Sequence, residues 1–189
     1  MTAEALLALE DVACLRGGRL LFEGLNLRLA PGEAALVTGP NGVGKSSLMR
    51  IAAGLLPAAA GRVARAAAAL ADEKLALDER LTLGRALHFW SRLDGRSAGT
   101  GLAEMGLAHL ADVPVRMLST GQRKRAMLAR VVASGTPLWL LDEPANGLDA
   151  EGQERLTHVM AAHRAGGGAV LAASHQPLAL PGAKTVALA

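Results

Sequence analysis

The sequence predicts an α/β domain built on a mainly parallel β-sheet. Three observations predict it: apolar strand-like segments alternate with helical segments, a glycine-rich loop joins one strand to a helix, and a second apolar strand ends in two carboxylates. Strands that alternate with helices are typical of parallel sheets covered by helices. The chain has 189 residues, the length of one ordinary domain, and we expect residues 1–189 to form it.

In the first half, apolar and polar residues alternate as they do in strands, and Gly and Pro mark the turns. The predicted elements there are strands within 5–30, a turn at Pro31-Gly32, a strand at 34–38, a helix at 46–55, and a strand and turn through Gly61-Arg62-Val63 within 58–71.

The second half has the spacing of helices interrupted by short apolar strands. The predicted elements are helical segments within 82–110 broken at Asp94-Gly95 and at Gly99–Gly101, a helix from Ser119 to Val132, a strand at 138–141, a helix at 151–164, and strands at 169–173 and 186–188. The helix-rich middle, about residues 75–133, is predicted to be an insertion into the sheet.

The composition predicts an aliphatic core and argues against several classes of protein. Hydrophobic residues make up 51% of the chain and aromatic residues only 2%. The net charge of +3 is small. The sequence has no Lys/Arg run with interleaved aromatics, the pattern that would indicate binding to single-stranded nucleic acid. No window of about 18 residues is apolar and uncharged enough to cross a membrane. If the protein serves a membrane, another chain must span it.

A complete phosphate-binding motif follows the predicted strand at 34–38. Gly39-Pro40-Asn41-Gly42-Val43-Gly44-Lys45-Ser46 matches G-x-x-x-x-G-K-S/T between a strand and a helix. Lys45 is expected to reach the β- and γ-phosphates of ATP, and the Ser46 hydroxyl to ligate Mg²⁺. The residues predicted to bind the nucleotide here are Gly39, Pro40, Asn41, Gly42, Val43, Gly44, Lys45, Ser46 and Ser47.

Two carboxylates follow the apolar run Leu138–Leu141. Ligands bind at the carboxyl edge of parallel sheets, so Asp142 is expected to hold Mg²⁺ together with Ser46. Glu143 is expected to be catalytic by polarising a water aimed at the γ-phosphate. The alternative is a strand that merely ends in polar residues, and the phosphate loop upstream disfavours it.

The segment Leu118-Ser119-Thr120-Gly121-Gln122 resembles the signature of the ABC (ATP-binding cassette) ATPase superfamily, usually L-S-G-G-Q, with Thr120 in place of the first Gly. In that family the signature contacts ATP bound to the opposite subunit. The resemblance therefore implies nucleotide contacts by Ser119, Gly121 and Gln122 across a dimer of two copies. Ser119 as a helix N-cap fits an anion site, although an ordinary helix cap is the alternative.

The same resemblance covers essentially the whole chain. Asn146-Gly147-Leu148-Asp149 is similar to the family's D-loop, which makes Asp149 a nucleotide-site carboxylate. His175 follows the last apolar strand as the catalytic switch histidine does. The resemblance implies a P-loop NTPase of ABC type, with a mainly parallel sheet core, an antiparallel β edge and an inserted helical subdomain.

Two positions depart from the family pattern. The aromatic residue that commonly stacks on adenine is replaced at or near Arg16, whose guanidinium could stack on the base instead. The Q-loop glutamine is missing: Asp72-Glu73-Lys74 occupies its region, and either Glu73 or Lys74 could substitute.

Softer matches narrow the resemblance to the ATP-binding subunits of bacterial haem exporters in cytochrome c maturation. They are Cys14–Gly17, Leu81-Thr82 with Leu87–Trp90, Val113–Val115 and His175–Leu178. This resemblance implies a peripheral subunit on the cytoplasmic face of the inner membrane. It would pair with itself and with transmembrane subunits, and ATP hydrolysis would release a haem-loaded chaperone.

Two alternatives stay open. One is an ABC exporter for another small substrate; the other is a soluble ABC-type ATPase acting on nucleic acid or ribosomes. A single cassette without heptads disfavours the second. No direct haem site is expected, because the sequence has no Cys-x-x-Cys-His.

Overall fold

The computed structural model describes residues 4–72, 77–94 and 98–189. Glu73 and Lys74, the two candidates to replace the Q-loop glutamine, lie outside the described residues.

The secondary structure alternates between strands and helices as the sequence predicts. The elements are β1 (Leu7–Arg16), β2 (Arg19–Leu29), β3 (Ala34–Thr38), α1 (Lys45–Ala52), β4 (Ala60–Arg65), β5 (Ala68–Ala71), α2 (Leu83–Asp94), α3 (Ala98–Glu104), α4 (Thr120–Ser134), β6 (Leu138–Asp142), α5 (Ala150–Ala165), β7 (Ala169–Ala173) and β8 (Lys184–Ala187). Two 3₁₀ turns, Ala108–Leu110 and Val115–Met117, precede α4.

The helix break predicted at Gly99–Gly101 is wrong. Gly99–Gly101 was expected to break the helical segment, but these glycines lie within α3. Packing explains the difference, because a Cβ on Gly101 would collide with the Ala129 carbonyl of α4. Gly101 therefore allows α3 and α4 to approach closely, and this tertiary contact outweighs the low helix propensity of glycine.

The chain divides into two compact units. The first consists of Met1–Asp72, Thr136–Glu143 and Met160–Ala189. Its described residues form a parallel sheet in the order β5-β6-β7-β3-β8 and an antiparallel sheet in the order β2-β1-β4. The predicted α/β class, a mainly parallel sheet core with antiparallel strands, is confirmed.

The register of the parallel sheet brings three loops to one edge. Ala173, the last residue of β7, pairs with Val37 of β3 on one side and with Asp142 of β6 on the other. Every residue of β6 and β7 is buried, as expected for central strands covered on both faces. The loops that follow β3, β6 and β7 therefore leave the sheet side by side.

The second unit consists of Glu73–Gly135 and Pro144–Val159. Within it α2, α3 and α4 pack together, and the Arg130 guanidinium lies 4.8 Å from the centre of the Trp90 ring. Helix α4 ends at Gly135 in the left-handed conformation, with φ of 60°. No helix among the described residues is long and apolar enough to span a bilayer.

An aromatic stack joins the end of α5 to the parallel sheet within the first unit. The rings of His163 and Trp139 lie 3.9 Å apart and within 7° of parallel. A Cβ on Gly168 would collide with the His163 ring, so glycine there makes room for the stack. Desolvation by burial lowers the pKa of His163 below its ordinary value.

This stack predicts a pH dependence of stability. Because the folded-state pKa is lowered, the unfolded chain binds the proton more readily, and the free energy of unfolding should fall as the pH drops below about 6.5, the unfolded value. Urea denaturation between about pH 7.5 and 5.5 measures the slope. His163→Phe keeps a stacking ring without a titrating group and should flatten the slope, whereas His158→Gln, at an exposed site on the same helix, should not. Equal slopes for all three proteins would contradict the prediction.

Candidate functional site

The loop between β3 and α1 needs glycine at several positions. Gly39, Gly42 and Gly44 have φ of 139°, 82° and 120°, a region that L side chains rarely adopt. A Cβ on Gly39 would also collide with the Leu188 carbonyl, and one on Gly44 would lie 3.1 Å from the Phe22 ring. Backbone conformation and close packing therefore both require glycine here.

Lys45 lies at the start of α1 and folds back over this loop. Its ammonium donates to the carbonyls of Gly39 at 2.7 Å and Pro40 at 3.1 Å, and the residue is only 7% exposed. Gly44, the N-cap, offers no side-chain cap to the first N–H groups of α1. A buried cation and uncapped N–H groups at a helix N-terminus together form an anion-binding arrangement.

Asp142 and Ser46 supply oxygen atoms in this region of the first unit. Asp142 ends β6 and is 2% exposed, whereas Ser46, in the first turn of α1, is exposed. Mg²⁺ prefers hard oxygen ligands and is commonly held by one or two protein groups together with phosphates and waters. This donor set fits Mg²⁺.

Glu143 and His175 are brought together by the loops after β6 and β7. Oε2 of Glu143 lies 2.9 Å from Nδ1 of His175 and also accepts from the His175 backbone N–H at 3.3 Å. The Glu143 N–H donates to the Ala173 carbonyl at 2.8 Å, which continues the β6–β7 pairing by one residue. At this distance Nδ1 donates to the carboxylate, so Nε2 of a neutral ring is an acceptor.

The backbone of Glu143 is strained. Its φ of 48° is a left-handed conformation that costs a non-glycine residue about 1–2 kcal/mol. The residue is only 9% exposed, and its backbone and side chain are both hydrogen bonded to the segment 173–175. Such strain persists only where the surrounding structure enforces it, and it is concentrated at functional sites.

Ser119 begins α4 with a complete capping box in the second unit. Its hydroxyl accepts from the Gln122 N–H at 3.2 Å, and the Gln122 side-chain oxygen accepts from the Ser119 N–H at 2.9 Å. The predicted N-cap is confirmed. The reciprocal use of Gln122 was not predicted, although Ser followed three residues later by Gln is the sequence signal for it.

Gly121, in the first turn of α4, and Asp149, just before α5, are also predicted to contact the nucleotide. A Cβ on Gly121 would be 3.2 Å from the Gly147 carbonyl, so the signature-like segment and the segment 146–149 are packed together. Asp149 caps α5, since its Oδ1 accepts from the Gly152 N–H at 2.9 Å. Its carboxylate therefore has a structural task beside any contact with a nucleotide.

Arg16 lies at the tip of the β1–β2 hairpin, exposed and paired with Arg19 across the turn Gly17-Gly18. A cavity of about 570 Å³ lies in the same unit, lined by residues 20–25 and 186–189. Two of these residues also border the glycine-rich loop: the Phe22 ring lies beside Gly44, and the Leu188 carbonyl lies beside Gly39. The sequence did not predict this lining, because nothing local shows that residues so far apart in the chain meet at the loop.

The structure thus groups the predicted residues within two units. The first contains the loop Gly39–Ser47, Asp142, the Glu143–His175 pair and Arg16; the second contains Ser119, Gly121, Gln122 and Asp149.

Comparison with known proteins agrees with these motifs. A family model described as ABC transporter matches residues 22–146. Curated relatives named cytochrome c biogenesis ATP-binding export protein CcmA are 59% identical, from Sphingopyxis alaskensis over 180 residues (93% of each chain) and from Novosphingobium aromaticivorans over 179 residues (94% of this chain and 93% of the relative).

A solved structure shows the same fold. The ATP-binding subunit of an ABC transporter superposes with a TM-score of 0.81 at 24% identity, covering 90% of this chain and 79% of that one. With the family match over residues 22–146, the chain belongs to the ABC transporter family of ATP-binding proteins.

Proposed function

We propose that this chain is the ATP-hydrolysing subunit of a membrane export complex in cytochrome c biogenesis. ATP hydrolysis would drive the export of haem or the release of a haem-loaded chaperone. The observation that carries the ATPase assignment is the Glu143–His175 contact at 2.9 Å, at the sheet edge to which the phosphate loop also belongs. The cytochrome c role is supported by the name that relatives at 59% identity carry.

ATP would lie with its phosphates along the glycine-rich loop, where the N–H groups of the loop and of α1 face them. Lys45, already buried over the loop, would turn its ammonium from the carbonyls of Gly39 and Pro40 towards the β- and γ-phosphates. When bound, Mg²⁺ would be held by Ser46 and Asp142 and would neutralise phosphate charge.

Glu143 would act as the general base of hydrolysis. A water oxygen attacks the γ-phosphorus as the bond to the ADP oxygen breaks, and the carboxylate accepts the water proton. His175 holds this carboxylate through Nδ1–H and the backbone N–H. With Nδ1–H used on Glu143, a hydrogen bond from Nε2 to the γ-phosphate would need a second ring proton, because the bare Nε2 and the phosphate oxygens are both acceptors.

The second unit would complete the site of another copy. Ser119, Gly121 and Gln122 begin a helix whose first N–H groups favour an anion, and Asp149 lies on the neighbouring loop. We therefore propose a dimer of two copies that close around two ATP molecules. On this proposal residues 1–189 form one nucleotide-binding domain, with a helical subdomain at about 75–133.

Transmembrane subunits would carry the cargo, and this chain would lie at the cytoplasmic face of the inner membrane. The exposed surface of α2 supports a protein partner: Phe89 is 57% exposed and lines a cavity of about 520 Å³ with Leu81, Arg85, His88 and Arg92. An apolar ring among basic side chains suits a partner segment with one apolar anchor and carboxylates.

Glu143→Gln should retain ATP binding and lower kcat by about 10²–10⁴-fold, because the amide cannot accept the water proton. Phosphate release measures turnover, and a fluorescent ATP analogue measures binding. Glu154→Gln, at an exposed position of α5, is the matched control and should hydrolyse ATP at the parent rate. A Glu143→Gln protein that also kept the parent rate would remove Glu143 from the catalytic role.

The base site predicts weak discrimination between ATP and GTP. A guanidinium of Arg16 stacked on a purine would hold the base by its face without reading its hydrogen-bonding edge, and the cavity of the same unit is lined mostly by apolar residues. Dissociation constants for the two nucleotides should agree within about tenfold, and Arg16→Ala should weaken both by about 0.5–1 kcal/mol. Isothermal titration measures them; a large preference for one base would contradict this account.

Deleting the gene tests the cellular role. Loss of covalently bound haem in c-type cytochromes, with b-type cytochromes intact, is expected, and the parent gene but not the Glu143→Gln variant should restore it. Haem-stained gels and absorption spectra of membranes measure both classes. Normal c-type cytochromes in the deletion strain would reject the haem proposal, even if the purified protein hydrolysed ATP.

A further inference from the structure

Arg123 occupies an unusual place at the start of α4. It is the fourth residue after the cap Ser119, yet its side chain turns back towards the segment that precedes the helix. Its Nη2 donates to the Arg116 carbonyl at 2.6 Å and its Nε donates to the Leu118 carbonyl at 3.1 Å. One guanidinium therefore joins two carbonyls on the chain leading into the signature-like segment.

These contacts hold the turn before α4, which sets the direction of the first residues of the helix. Leu118 is extended, with φ of −69° and ψ of 141°, and separates the 3₁₀ turn Val115–Met117 from α4. The turn is also held from its other side, where the N–H groups of Val115 and Arg116 donate to the carbonyls of Leu81 at 3.0 Å and Glu79 at 3.2 Å. Arg123 thus closes a set of bonds that determines where Ser119 and the next N–H groups point.

The same guanidinium reaches the segment before α2. Its Nη1 lies 3.5 Å from Oε1 of Glu79, whose side chain is 59% exposed. Because an exposed ion pair contributes little stability, this contact alone would not account for an arginine here. The hydrogen bonds to the two carbonyls are a stronger reason for an arginine at this position, because a planar guanidinium makes them with fixed geometry.

The charge of Arg123 is also unfavourable for an isolated helix. The positive end of a helix dipole favours Asp or Glu in the first turn, but the first turn of α4 contains no acidic residue. A cation beside that end raises the local positive potential. The arrangement is favourable when an anion approaches the helix start, as the proposed ATP contact requires.

We propose that Arg123 is a positioning residue for the signature segment Leu118–Gln122. It acts through the carbonyls of Arg116 and Leu118, and it keeps the N–H groups at the start of α4 oriented for the γ-phosphate of ATP on the second copy. This inference rests on the proposed function. Loss of Arg123 affects closure of the dimer and turnover, and leaves ATP binding to the loop of the same chain intact.

The test compares Arg123→Ala and Arg123→Lys with the matched control Arg116→Ala. The control removes an exposed arginine of equal charge and keeps the carbonyl that Arg123 binds. Four quantities are measured for each: the ATP affinity of the dilute monomer, kcat and KM for hydrolysis, and, in the Glu143→Gln background, the protein concentration at which half of the protein is dimeric with MgATP. Thermal denaturation reports whether each variant is folded.

For Arg123→Ala we expect monomer ATP affinity within twofold of the parent, kcat lowered at least tenfold, and half-dimer concentration raised at least tenfold. Arg123→Lys, which can reach one carbonyl, should recover part of the loss, and Arg116→Ala should match the parent. If Arg123→Ala does not fold, Arg123→Lys alone carries the test, with reduced kcat at unchanged monomer affinity.

Parent-like kcat and dimerisation in a folded Arg123 variant would overturn this inference and leave the ATPase proposal standing. An equal loss of monomer ATP affinity and kcat would also overturn it, because the effect would then be a general structural one. If the parent protein itself failed to hydrolyse ATP, the proposed function would fall instead, and that result is seen before any variant is made.

Discussion

The pairing of β7 with both β3 and β6 is the constraint on which the site of the first unit depends. Ala173 lies opposite Val37 and Asp142, so the chain leaves all three strands at one edge. The phosphate loop, the two carboxylates and the histidine are each short extensions of these strands. A one-residue slip of β6 would turn Asp142 to the other face of the sheet and carry Glu143 with it.

Adjacent carboxylates acquire different environments from this register. Asp142 is the last residue in the ladder and is buried in it, whereas Glu143 already departs from strand geometry with a positive φ. Its backbone still bonds Ala173, while its side chain turns to His175. The energy stored in this conformation is offset by the paired strands that hold it, which gives the carboxylate a defined direction.

In the second unit, side-chain contacts position the predicted nucleotide-binding residue Ser119. In the part of the chain that the structure describes, Ser119 follows a 3₁₀ turn and not a strand; a capping box, a close approach of Gly121 to Gly147 and the guanidinium of Arg123 position it. Thr120, which replaces the usual glycine, lies at the first helical position, where a side chain meets no conformational barrier.

The sequence by itself determined the class and most candidate residues, because each motif is local. The glycines of 39–44, the apolar run into Asp142 and the helix cap at Ser119 combine backbone conformation and chemistry within a few residues. Only the tertiary structure decided which distant residues meet: Glu143 with His175, and Trp139 with His163. It also overruled the predicted break at Gly99–Gly101. Packing between distant segments outweighs local propensity, and no local pattern encodes it.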